Sequence, residues 1–382
     1  MKSFDIKVKI HFGEKSLDRL AQLTYNRVLV IADPFVVSSG LIHHIDRRLQ
    51  KAELEYKIFS DVVPDPPLEK ITLGVVEVIE YKPECIIAVG GGSAIDSAKA
   101  IRSVAEKSGK LENKIDLIAI PTTSGTGSEV TSFAVVTDTE NKTKIPLVSD
   151  EMLPQEAILD ADLVTSVPPN ITADTGMDVF THALESYVST ESNEFTAALA
   201  EKAIEFVGAF LLRSYLDSND YHARSKMHCA SCLAGLAFNA SNLGLNHGMA
   251  HQLGAFFHIP HGRANALLLP YIIEYNSNID KRSRSQDNYP KQVKKYVTVA
   301  RMLGLQNFNT ITTISALVSW IRFMMVEMDM PHSISEIGCC TEQEYFAAIP
   351  DMAQAALEDS TTITNPRKPT KQDIEELYTK IW

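Results

Sequence analysis

ECIIAVGGGSAIDSAKAIRSVA, residues 84–105, is the stretch that decides the fold class. It opens with a short apolar run that reads as a buried strand, turns through Gly90, Gly91 and Gly92, and continues as a helical pattern from Ser93. A strand that passes through glycine into a helix is half of a β-α-β unit. Ser93 stands where an N-cap is expected, and Asp96 three positions on suggests a capping box. Glycines allow a ligand to approach the backbone closely. The helix N-terminus adds free N–H groups and the positive end of a dipole, which together suit a phosphate. The order of residues departs from G-x-G-x-x-G, so this stretch taken alone also fits a plain tight turn.

The same rhythm extends outward. RVLVIAD (27–33) and KIDLIAIP (114–121) are further apolar runs, each followed by small or polar residues and then by a helix or turn. Near the N-terminus Phe4, Ile6, Val8 and Ile10 alternate with polar residues, which predicts a half-buried strand. The expected fold is an α/β domain with a mainly parallel sheet, its ligands beyond the carboxyl ends of the strands. PTTSGTGSEVT (121–131) follows such a strand and offers hydroxyls and backbone N–H groups to a ribose or pyrophosphate. Asp33, at another strand end, can accept from both hydroxyls of an adenosine ribose and would repel a 2′-phosphate, which favours NAD over NADP. The alternative is a turn aspartate before Pro34. The acid precedes the glycine loop here, the reverse of the usual order.

After VPP (167–169) the texture changes to long helical patterns. Two domains are expected, 1–168 as an α/β dinucleotide-binding domain and 169–382 as an all-helical metal-binding domain. SNIDKRSRSQDNYPK (277–291) reads as a solvated loop. In the helical half, Asp178 and His182 are four apart and share a helix face. His247 and His251 repeat the spacing, and His261 follows Pro260. One carboxylate with several imidazoles is the donor set of a divalent cation with a position left open for substrate, borderline between Fe(II) and Zn(II). Spacing leaves open which of His251 and His261 is the ligand. His222, His228 and His258 are read as having no functional role. A nucleotide half joined to a metal half points to metal-assisted hydride transfer, the ion stabilising an alkoxide beside the nicotinamide.

Composition sets the outer limits. With 36 Lys and Arg against 48 Asp and Glu, the chain of 382 residues carries a formal charge of -12, which argues against nucleic acid and anionic membranes. No segment has the ~18 uninterrupted apolar residues of a membrane span, and the N-terminus lacks a signal-peptide core. A cytoplasmic protein with no membrane partner is expected. Five scattered cysteines are not a disulfide framework. Cys229 and Cys232 form a C-x-x-C inside an alanine-rich helical pattern and read as small buried residues.

GGGSAIDSAK, PTTSGTGSE, DTGMDVFTHALE, NHGMAHQLGAFFHIPHGRANALLLP and ALEDSTTITNPR, in this order, resemble the iron-containing (group III) alcohol dehydrogenases over the whole chain. SVPPNITADTGMDV and KMHCASCLAGLAF are most similar to the propanol-forming members found in bacterial propanediol utilisation. The resemblance implies Asp178, His182, His247 and His261 as metal ligands for Fe(II), with Zn(II) as the other candidate. It implies His251 as a catalytic residue relaying the alcohol proton. For NAD it implies Asp33, Gly91, Gly92, Ser93, Thr122, Thr123, Thr131 and Lys144. Asp65 stands where many relatives carry Asn near the nicotinamide ribose. The implied reaction interconverts short primary alcohols and aldehydes, with propanal reduction to 1-propanol foremost and ethanol, butanol or lactaldehyde/1,2-propanediol as alternatives. A homodimer is expected, as is a location inside a bacterial microcompartment through contact with a shell protein. The competing class is a lyase like dehydroquinate synthase, whose polyanionic substrates need Arg or Lys clamps. The metal segment offers mainly Arg263.

Overall fold

The computed structural model describes residues 4–64, 66–139, 143–278, 290–305 and 309–382. Asp65 and most of the 277–291 loop lie outside the described residues. The chain divides into two compact units. One is Met1–Ser166 with Arg224–Gly235, the other Val167–Ala223 with Leu236–Trp382.

The first unit is built on strands whose successive side chains are buried on opposite faces. Along β2 (Arg27–Ala32), Leu29 and Ile31 enter one core while Val28 and Val30 enter the other. Ile86 and Ala88 of β4 (Cys85–Gly90) join the first core, and Cys85, Ile87 and Val89 the second. Strands buried on both faces read as continuous apolar runs rather than alternating ones, and they need helices above and below. The helices are α1 (Pro34–Ser38), α2 (Ile42–Lys51), α3 (Leu68–Tyr81) and α4 (Gly92–Lys107). With β1 (Lys9–Phe12), β3 (Glu55–Phe59), β5 (Asp116–Pro121) and β8 (Glu156–Leu159), strands β2 and β4 form a six-stranded sheet in the order β1-β8-β5-β4-β2-β3. Every pairing in it is parallel, as expected. β6 (Phe133–Asp138) and β7 (Thr143–Val148) form a separate antiparallel pair. From β2 the chain steps outward to β3, and from β4 it steps the other way to β5 and β8. The carboxyl ends of β2 and β4 therefore flank the topological switch point, where open α/β sheets bind ligands.

Two local expectations are corrected. The strand read over residues 4–10 is β1 at Lys9–Phe12, because its partner β8 begins only at Glu156 and the ladder runs from Lys9↔Glu156 to Phe12↔Leu159. The cap of α4 is Gly91, not Ser93. Gly90 adopts φ 155, which turns the chain early, so Ser93 already lies in the first helical turn and no side chain caps the end. Asp96 accepts instead from Ser128 Oγ at 2.6 Å and Val135 N at 3.0 Å.

The second unit is helical. It comprises α5 (Pro169–Val188), α6 (Glu194–Leu216), the ends of α7 (Tyr221–Ser241), α8 (Leu245–Phe257), α9 (His261–Ser277), α10 (Lys291–Met302), α11 (Thr310–Glu327), α12 (Ile334–Ile337), α13 (Glu342–Glu358) and α14 (Lys371–Lys380). Pro168 and Pro169 start α5, where a proline costs no hydrogen bond. Capping boxes at Asn193 and Thr341 start α6 and α13. Among the described residues no helix is long and apolar enough to cross a membrane.

The middle of α7 belongs to the first unit. A Cβ on Gly127 would stand 2.7 Å from the Gly235 Cα, so this approach is open only to glycine. One helical stretch earlier, His228 Nδ1 lies 3.0 Å from Ser124 Oγ of the PTTSGTGSE loop. The C-x-x-C sits on this helix with both thiols free, burial pushing Cys229 and Cys232 above the usual thiol range.

Burial pushes the His228 imidazole down to about 4, against the raising effect of the Pro121 carbonyl. The unfolded chain takes up this proton as pH falls through 6.5, whereas the folded protein resists until about 4. Stability is therefore lost on acidification across that window, by about 1.4 kcal/mol per pH unit. His228→Gln is expected to flatten this slope in urea unfolding of the full chain. Parallel slopes for variant and wild type would contradict the assignment.

Candidate metal centre and dinucleotide loops

Helix α5 is buried almost all round, yet it carries a polar stripe. Asp178, His182 and Glu185, spaced by four and then three, fall on one face, and all are buried. Polar groups placed there need partners. Helices α8 and α9 supply them. His247 Nε2 lies 3.7 Å and His261 Nε2 3.6 Å from Asp178 Oδ1, while His182 Nδ1 lies 3.9 Å from Asp178 Oδ2. The donor atoms of Asp178, His182, His247 and His261 all lie within 4.8 Å of one another, the one such group among the described residues. Ligand bonds of about 2.0–2.2 Å set neighbouring donors roughly 3–4 Å apart. Gly262 makes the convergence sterically feasible. A Cβ there would stand 2.0 Å from the Asp174 carbonyl oxygen, so a side chain would push the start of α9 off α5.

The electrostatics of this cluster call for a positive charge. Burial opposes ionisation of Asp178, but His182, His261 and His247 more than offset it and hold the carboxyl well below its usual range. Burial likewise opposes a charge on His247, yet the nearby carboxylates of Asp178 and Glu185 push the imidazole up. Two carboxylates around one ring thus favour a cation, and the fourfold donor set fits a divalent ion with an open position. Glu185 is 2.5 Å from His247 Nδ1 and accepts from the Asn246 backbone N–H at 2.7 Å. It fixes the ring with Nε2 towards the other donors.

His251 lies beside the cluster. Its ring is stacked on His261 at 5.4 Å between centroids, and its Nδ1 is 2.8 Å from Asp359 Oδ2. Burial opposes the charge on Asp359, but His251 and Thr361 hold its carboxyl down to about 2. Arg263 is engaged by Asp174, with Nε to Oδ1 at 3.2 Å and Nη2 to Oδ2 at 3.1 Å.

In the first unit the loops after β2, β4 and β5 lie side by side. Asp33 Oδ1 accepts from Val36 N at 2.9 Å and caps α1, while Oδ2 lies 2.9 Å from where a Gly90 Cβ would stand. The turn role and the switch-point position therefore coincide in one residue. Thr122 N donates to the Gly90 carbonyl at 2.9 Å, and a Gly91 Cβ would touch Thr123. Gly92 and Ser93 form the first turn of α4, whose N-terminus has no side-chain cap to compete with a phosphate. Thr131 is fully buried. Its hydroxyl and carbonyl both accept from Lys99 Nζ, at 3.1 and 2.9 Å, and Lys99 also donates to Ser128 Oγ and the Phe133 carbonyl. Lys144 lies on β7, and its side chain falls outside the described residues.

The iron-containing alcohol dehydrogenase model matches residues 7–161, and the C-terminal model of the same family matches 172–382. The chain belongs to the iron-containing alcohol dehydrogenase family. Among curated relatives, the 1-propanol dehydrogenase PduQ of Citrobacter freundii is 41% identical over 100% of both chains. The NADPH-dependent butanol dehydrogenase of Clostridium saccharobutylicum is 35% identical over 100% of this chain and 98% of its own. Among solved structures, a 1,3-propanediol oxidoreductase superposes with TM-score 0.90 at 31% identity, covering 100% of each chain. The NAD+ complex of sulfoacetaldehyde reductase from Bifidobacterium kashiwanohense gives 0.85 at 27%, covering 100% and 98%. The family name implies iron, and the converging donor set on α5, α8 and α9 suits it.

Sequence reasoning missed four residues around these sites. Glu185 had a signal, three positions beyond His182 on the same face. Asn265 had one too, one turn after His261. Asp359 and Lys99 become visible only through contacts distant in sequence.

Proposed function

We propose that this chain is a cation-dependent, NAD(H)-linked oxidoreductase of short primary alcohols and aldehydes, and that its working reaction reduces propanal to 1-propanol. The observation that carries this reading is the convergence of Asp178, His182, His247 and His261 in one cluster, the first three buried and His261 at its exposed edge. Full-length similarity to a 1-propanol dehydrogenase supports the choice of substrate. Engagement of Arg263 by Asp174 speaks against the polyanionic substrates of the lyase class, which need unpaired basic clamps.

In this reading Asp178, His182, His247 and His261 hold Fe(II), or Zn(II) in its place. Such an ion supplies Lewis-acid polarisation of the carbonyl. Glu185 accepts a hydrogen bond from Nδ1–H of His247, which leaves the Nε2 lone pair free to face the ion. Asp359 does the same for His251, leaving its Nε2 to exchange a proton with the alcohol. Because Asp359 stays ionised, it orients that ring without competing for the proton. The uncapped start of α4 at Gly91, Gly92 and Ser93 receives the pyrophosphate, Asp33 the adenosine ribose, and Thr122 and Thr123 line the cofactor with Lys144. Lys99 holds Thr131 in place from beneath the loop. Bound there, NADH would supply the hydride for the carbonyl carbon, and His251 the proton that completes the alcohol.

Metal analysis and turnover measured on the same samples test the ligand and relay roles. His261→Ala is expected to lose cation and activity together. His251→Ala is expected to keep its cation and to slow propanal reduction by roughly a hundredfold. Equal cation loss in both variants would reverse the two roles, and wild type inert towards aldehydes of about two to six carbons would reject the reading.

Cofactor preference tests Asp33 separately. Asp33→Gly removes the charge that repels a 2′-phosphate, so the NADPH/NADH ratio of kcat/KM is expected to rise by about tenfold or more. An unchanged ratio would reject the ribose role.

A further inference from the structure

A single amide stands where three of the donors meet. Asn265 Nδ2 lies 2.7 Å from Asp178 Oδ1, 3.1 Å from His247 Nε2 and 3.1 Å from His261 Nε2. Its orientation is set from behind, where Asn246 Nδ2 donates to Asn265 Oδ1 at 2.8 Å and to the Asn265 carbonyl at 3.1 Å. Both asparagines are fully buried. With Oδ1 taken by a donor, only the NH2 group can face the cluster.

We propose that Asn265 is a placeholder for the cation, an amide that satisfies the converging donors until an ion takes them over. The inference rests on the reading of Asp178, His247 and His261 as cation ligands. An imidazole nitrogen has one lone pair, which can serve the amide or an ion but not both. A carboxylate oxygen has two, so Asp178 Oδ1 can keep Asn265 while it binds an ion. The amide has two protons. One matches the short bond to Asp178, and the other is shared between His247 and His261. Ion binding therefore releases one amide bond, the shared one, and keeps the other.

This count fixes a sign. Loss of the amide removes the Asp178 bond from both states but the imidazole bond only from the cation-free state. The cation-free protein is left with the buried His247 nitrogen unsatisfied, whereas the loaded protein has the ion on it. Removal of Asn265 should tighten cation binding. A residue that merely orients a ligand gives the opposite result, since its loss loosens the ion.

The test uses the metal-stripped full chain, Zn(II) as probe, a competing chromophoric chelator and thermal unfolding with and without Zn(II). For Asn265→Leu, which keeps the branching and removes the donor, the Zn(II)-free midpoint should fall more than the loaded one. The apparent Kd for Zn(II) should drop by roughly twofold to tenfold, the worth of one neutral hydrogen bond. An unchanged or larger Kd overturns the proposal. Should Asn265→Leu fail to fold, Asn265→Asp decides. It puts an acceptor where the donor was, so the Zn(II)-induced midpoint shift should exceed that of wild type, and an equal or smaller shift overturns the proposal. Wild-type Zn(II) uptake that survives His261→Ala would instead overturn the ligand assignment, and the placeholder role with it.

Discussion

A buried carboxylate surrounded by imidazoles is the constraint on which the second unit is organised. Asp178 remains ionised in the interior because three histidines offset the loss of water. That arrangement dictates much of the neighbouring sequence. Helix α5 carries polar residues on a face that would otherwise be apolar, Gly262 gives up its side chain so that α9 can start against the Asp174 carbonyl, and Glu185 spends a second buried carboxylate on one ring. A core assembled only for stability would avoid each of these choices, because charges taken from water are costly unless they are paired and hydrogen-bonded. Their concentration in one place marks a site kept for chemistry.

The first unit follows a similar logic around a different charge. Lys99 is fully buried, and burial lowers its amine to about 8, countered by Asp96 and Glu129. Glu129, buried beside it, is pushed up to about 7. The Lys99 Nζ is anchored to oxygens of Ser128, Thr131 and Phe133. This ties the loop after β5 to the helix whose N-terminus follows the glycines. The loops after β4 and β5 thus rest on a shared polar base rather than on independent turns, which suits a surface that must keep its backbone N–H groups aimed at a ligand.

Much of the fold was legible because strands β2, β4 and β5 are buried on both faces and announce themselves as apolar runs ending in glycine, threonine or aspartate. The fourfold donor set was legible in part because helix spacing places Asp178 with His182, and His247 with His251, without any tertiary information. The same spacing could not choose between His251 and His261. The contacts that separate them, His251 with Asp359 and His261 with Asp178, span 108 and 83 positions of chain. The strand misplaced over residues 4–10 and the cap misassigned to Ser93 share one cause. Each element's start is set by a partner or a backbone angle, β8 in one case and Gly90 in the other, and not by the side chains that seemed to signal it. Lys99 carries no local signal, since nothing near it in sequence shows that its amine is surrounded by oxygens.

The most direct test of the account is anomalous X-ray diffraction at the iron edge from crystals of the active, iron-loaded protein. The account predicts one strong peak bonded to Asp178, His182, His247 and His261 at about 2.0–2.3 Å. An active, iron-loaded protein whose peak lies elsewhere, with those four side chains still bound only to one another and to Asn265, would contradict it.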